Sequence, residues 1–135
     1  MAVAMQETDH MSAAAYPYGD GKVDDSANFG IFKQNCHMIR NSVPQYSSAT
    51  KANYRWGSAL NTNLSWDVQV LHASQNHFGV RWVAGHRNGE SGLLNPVGAD
   101  ISRYQSAVQW MYTQLMLYPA YRTDDTCVYV QTPRI

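Results

Sequence analysis

The chain has 135 residues, ten basic and ten acidic side chains, and no formal net charge. That length suits one ordinary domain around one core, 1–135, and the lack of a cationic stripe argues against a nucleic-acid partner. Charged residues make up 15%, below the usual quarter; Tyr, Trp, Asn, Gln, Ser and Thr fill the gap, giving a surface suited to a neutral, hydroxyl-rich ligand and also common in secreted proteins.

Along the chain, residues 2 to about 14 are rich in helix formers and predict a first helix. Pro17 and Gly19-Asp20-Gly21 end it in a turn, and Lys22 to Asn28 read as a short strand pair. A second helix is expected from Gly30 to about Asn41, with Ile31, Phe32, Met38 and Ile39 as its apolar stripe and Pro44 closing it. Ser48 or Thr50 is a candidate cap for a helix through Leu60. Ser65 would cap another, with Trp66, Val70 and Leu71 turned inward. Gly79 to Gly92, carrying Trp82, His86 and Asn88, reads as a polar loop. A long helix follows from Asp100, its expected N-cap, to Tyr118, with Ile101, Tyr104, Val108, Met111 and Leu115 at helical spacing before Pro119. Cys127 to Val130 looks β-like. The sum is an α+β chain, mostly helical with a small antiparallel sheet in its first third.

No apolar run approaches the ~18 residues that span a bilayer, so no membrane partner is expected. The opening MAVAMQETDHM has neither the basic region nor the long apolar region of a signal peptide. If the protein is exported, this chain is the mature part; the sequon Asn63-Leu64-Ser65 gives that weak support. Cys36 and Cys127 permit one disulfide, worth about 4 kcal/mol in an oxidising compartment. The alternative is two buried thiols. No CxxC or Cys/His cluster suggests a metal site.

The chemistry-bearing candidates are carboxyl groups. Only two glutamates occur, Glu7 and Glu90. On a helix, Glu7 shares its face with Val3, Ala4, Met11 and Ala14, and loss of hydration there would raise its pKa toward that of a general acid. Its other reading is a solvated helix-surface charge. Asp20, Asp24 and Asp25 lie in or beside the glycine-rich turn, where a hydrated, ionised aspartate suits a base that activates water and where turn chemistry alone also favours Asp. No GxSxG, GxGxxG or P-loop is present, and the spacing of His72 and His77 does not put them on one helix face.

The run NFGIFKQN at 28–35 resembles the strand-to-helix segment of the lysozyme superfamily. YPYGDGK followed by DDSANFGIFKQN, with AVAMQETD upstream, resembles glycoside hydrolase family 134, endo-β-1,4-mannanases with a lysozyme-like fold in which a helix and a β-hairpin wall a cleft. The resemblance implies an inverting hydrolase with Glu7 as general acid and Asp20 as general base, Asp25 standing in reserve. Asn28 occupies the position of the carboxylate used by retaining relatives, so no covalent glycosyl-enzyme is expected. The implied ligand is β-1,4-mannan, the implied setting extracellular, and a monomer with no metal or cofactor suffices. Tyr16, Tyr18, Trp82 and Trp56 are candidates to stack on sugar rings; Lys22, Asn28, Lys33, Gln34, His77 and His86 are candidates to bond hydroxyls. The competing readings are a lysozyme- or chitosanase-like hydrolase and a non-catalytic carbohydrate-binding protein.

Overall fold

A computed structural model of the chain describes residues 1–8, 11–14, 16–49 and 54–123. Among these residues are the helices α1 (Ala2–Glu7), α2 (Cys36–Ser42), α3 (Ser58–Thr62), α4 (Leu64–Phe78), α5 (Trp82–Leu94) and α6 (Ala99–Leu117). A two-stranded antiparallel hairpin, β1 (Asn28–Phe29) and β2 (Gln34–Asn35), pairs Asn28 with Asn35 and Phe29 with Gln34. The expectation of a mainly helical α+β fold holds. Several element boundaries do not.

The first helix stops seven residues short. Thr8 turns extended, and both its amide and its hydroxyl donate to the Ala4 carbonyl, at 2.9 Å each. Met11 then adopts a positive φ of 52°, so Met11 and Ala14 do not continue a helical face beneath Glu7. Farther on, the strand pair lies downstream of Lys22–Asn28. Residues Asp24–Ser26 form a 3-10 turn instead, and the strands run through 28–35. Helix α2 correspondingly starts at Cys36, six residues after the expected Gly30, because Asn35 caps it by accepting from the His37 amide at 3.0 Å.

No helix starts at Ser48; short 3-10 turns cover Pro44–Tyr46 and Tyr54–Gly57, and α3 begins only at Ser58. Thr50 lies outside the described residues. The cap of α4 is Asn63, not Ser65: its side-chain oxygen accepts from the Trp66 amide at 3.0 Å. The presumed loop 79–92 is mostly α5. Its glycines misled the reading because they serve packing: a Cβ at Gly85 would press into Met38, and only Gly89, at φ 58°, breaks the helix. Helix α6 runs close to its expected bounds. Gly98 precedes it, and Asp100 sits inside its first turn, accepting from Asn88 Nδ2 at 2.7 Å. The Cys127–Val130 strand and Cys127 itself lie outside the described residues, while Cys36 is buried in the core.

Three groups of buried side chains hold these elements together. Ala27, Phe29, Cys36, Ile39, Val43, Leu60 and Val70 pack the hairpin and α2 onto α3 and α4. Val3, Ala4, Phe32, Met38, Leu71 and Trp82 draw in α1 and α5. Ala2 reaches Met111 and Leu115, which seats α1 on α6. Trp66 is half-buried and donates from Nε1 to the Tyr46 hydroxyl at 2.8 Å; Tyr46 in turn stacks on Trp56 at 4.5 Å.

A single buried carboxylate fixes the hairpin. Asp67 of α4, with no exposed surface, accepts from the Ile31 amide at 2.8 Å and from Gln34 Nε2 at 2.6 Å. Gly30 turns at φ 75° directly against it, and a Cβ there would collide with the Asp67 carboxyl. Gly30→Ala therefore carries both a backbone penalty and a steric one, and is expected to lower stability by about 2–5 kcal/mol in urea unfolding. Gly79→Ala, with φ 53° but no atom in the way, should lose measurably less; equal losses would refute the role of the Asp67 contact.

Candidate active site

Between the hairpin region and α5 lies an open polar cavity of about 330 Å³. One wall carries Lys22, Asp25, Asn28, Asn35 and His37; the other carries His86, Arg87, Asn88 and Glu90. The two candidate catalytic carboxyls stand behind these walls, each joined to the cavity by a neighbour.

Asp20 sits between Gly19 and Gly21, and all three have positive φ, at 63°, 61° and 70°. Glycine and aspartate tolerate that left-handed turn where other residues rarely do. Lys33, nearly buried and itself at φ 50°, forms an ion pair with Asp20 and places its ammonium 3.2 Å from the centre of the Tyr16 ring. The Asn28 amide, next to Asp20, accepts from Lys22 Nζ at 3.1 Å and donates to the Ser26 carbonyl at 3.3 Å. Tyr16, Asp20, Lys22, Asn28 and Lys33 are thus brought into one cluster.

Glu7 ends α1, and its side chain is 21% exposed. Oε1 lies 3.3 Å from His86 Nε2, close in distance but misaligned for a hydrogen bond, so His86 Nε2 and the buried Tyr104 hydroxyl both lack an aligned partner among the described residues. The expected rise of the Glu7 pKa is not found. Burial does push the carboxyl upward, but the combined pull of His86, Tyr104 and Arg87 outweighs it and holds the group below the usual carboxylate range. Sequence reading saw the apolar stripe and missed the imidazole that folding brings to it.

Other candidates have different surroundings. Trp82 is buried and stacked on His86 at 4.6 Å, so its ring belongs to the core. Gln34 is buried, its amide donating to Asp67. Trp56 packs with Tyr46 and Phe29. His77 is exposed at the end of α4 against Phe78, outside the cavity lining. Tyr18 is 44% exposed and meets Phe29 edge-on at 5.1 Å, also away from the lining. Asp25 lines the cavity but is gripped by Arg40, which donates from Nε at 2.8 Å and Nη2 at 2.9 Å. Trp110 is 39% exposed on α6.

Asn35, His37, Arg87 and Glu90 were not singled out as site residues, yet all line the cavity. Asp67 was missed entirely. Its signal was present: it stands three and four residues before Val70 and Leu71, a charge on the buried stripe of α4.

A mainly helical fold with carboxyl groups behind both walls of an open polar groove is the arrangement of a glycoside hydrolase, whose chemistry needs two acids and little else. The family model of glycosyl hydrolase family 134 matches residues 1–132, and the chain belongs to that family. No curated protein matches the chain.

Burial pushes the Asp67 carboxyl up to about 6, against the opposing pull of Gln34 and the backbone amides. Between pH 4 and pH 6 the folded chain thus binds more protons at this position than the unfolded chain, so its contribution to stability falls as pH rises through that window. The loss amounts to about 3 kcal/mol. Urea unfolding at pH 4 and pH 7 should show this slope in the wild type and a shallower one in Asp67→Asn; parallel slopes would contradict it.

Proposed function

We propose that the protein is an inverting endo-β-1,4-mannanase acting outside the cell, where a polymer too large for uptake is met. Glu7 gives its proton to the glycosidic oxygen as the C1–O bond breaks. Water adds to C1 from the opposite face and passes its proton to Asp20. Lys33, in the hairpin turn, keeps the Asp20 carboxylate in place.

The observation that carries this reading is the groove itself. It is polar, it lies between the neighbours of two carboxyl groups, and its charges balance: Lys22 and Arg87 against Asp25 and Glu90. A cationic amino-sugar polymer calls for an acidic groove, whereas a neutral hexose polymer does not. Asn28 faces this groove with an amide, which cannot attack an anomeric carbon as a carboxylate does. Direct bonding to sugar hydroxyls falls to Lys22, Asn28, Asn35, His37 and Asn88, which line the cavity.

Glu7→Gln and Asp20→Asn should each lower kcat on mannan by about 10²–10⁴-fold, read on protein that circular dichroism shows to be folded. Near-wild-type turnover in either would remove that residue from the mechanism. Proton NMR of the first products from mannan should show the α anomer; β products would mean retention. Faster release of reducing ends from chitosan or peptidoglycan than from mannan would overturn the substrate assignment.

A further inference from the structure

We infer that His86 is a positioning residue that holds the shared proton in the resting site and hands it to Glu7 when a sugar chain covers the groove. This rests on the reading of Glu7 as the general acid. The geometry is specific. The His86 side chain is 3% exposed, its ring is stacked on Trp82 at 4.6 Å and 22°, and Nε2 faces Glu7 Oε1 at 3.3 Å. The same ring lines the cavity.

Among the described residues, His86 Nε2 and the Tyr104 hydroxyl are buried without an aligned partner, both beside the Glu7 carboxyl. Orphaned buried polar atoms are costly, so both groups favour a hydrogen bond to that carboxyl. The pair then has two one-proton forms: imidazolium beside carboxylate, or bare Nε2 accepting from the carboxylic acid. The proton crosses a single contact and no other bond changes.

Which form prevails depends on water. With the groove open, solvent and neighbouring charges favour the ion pair. Arg87 from α5 and the Tyr104 hydroxyl from α6 act on Glu7, and the imidazole also acts on Asp67 of α4. A bound sugar chain expels water and lowers the local dielectric, which penalises two separated charges and favours the neutral pair. Glu7 then carries the proton where the glycosidic oxygen arrives. After delivery, Tyr104 remains a donor for the new carboxylate, since burial and the Glu7 charge push its phenol pKa upward.

The chain has only two glutamates, so ¹³C labelling at Glu Cδ gives two signals, and Glu7→Gln assigns them. In His86→Gln the Glu7 carboxyl should titrate above its wild-type midpoint, because the lowering imidazole is gone. The basic limb of kcat/KM on mannan should move the opposite way, to lower pH, because a carboxyl now loses the proton that an imidazole had stored. A merely structural His86 would produce neither shift. An unmoved Glu7 midpoint, or a basic limb that stays in place, overturns the inference. Tyr104→Phe keeps the imidazole and serves if His86→Gln does not fold: the Glu7 midpoint should rise while the basic limb holds, and a limb that falls with it overturns the proton store. Failure of the underlying reading looks different, since Glu7→Gln would then retain turnover whatever the titrations show.

Discussion

The buried carboxylate of Asp67 is the constraint on which the site depends. It lies on α4 with no exposed surface, and it takes the Ile31 amide and the Gln34 side chain as partners. Those bonds fix the 30–33 turn, whose approach is possible only because Gly30 has no side chain. Asn61 adds an acceptor for the Gly30 amide at 2.8 Å. Lys33 leaves this turn to pair with Asp20 and lie over Tyr16. A hairpin of two residues per strand has little stability of its own; the helix beneath holds it in register. Burying a carboxylate is costly, and that cost is offset by the bonds that specify one turn geometry.

The other side of the groove depends on helix packing. Helix α1 is only six residues long and would not persist alone. It is held because Ala2 meets Met111 and Leu115 while Val3 and Ala4 enter the core with Trp82 and Leu71. Glu7 therefore emerges where α5 presents His86 and α6 presents Tyr104. Three elements far apart in sequence meet at one carboxyl. Its proton affinity belongs to that meeting rather than to the helix it ends.

The groove between the two sides is charge-balanced and rich in amides. Of its acidic side chains, Asp25 is held by Arg40, which stands outside the lining. Such a surface offers directional hydrogen bonds without a strong net field, as a neutral polymer of hydroxyls requires. The aromatic side chains proposed for sugar stacking are largely spent elsewhere: Trp82 and Trp56 on packing, Tyr16 beneath an ammonium. Recognition in this cavity accordingly falls more to polar groups than the composition suggested.

Residues close in sequence made part of this legible. Gly19-Asp20-Gly21 announced a turn, which the fold makes left-handed, and the spacing of Ile101, Tyr104, Met111 and Leu115 announced α6 because burial follows the helical repeat. The run from Tyr16 to Met38, set beside Glu7, pointed to the family that the whole chain matches. Tertiary structure alone decided the rest. Glycines that read as loop in 79–92 are contact points of α5, the strands shifted to 28–35 under the hold of Asp67, and Glu7 met an imidazole 79 positions away. Local preference is written in neighbouring residues, whereas a carboxyl's proton affinity and a glycine's purpose depend on what distant segments bring against them.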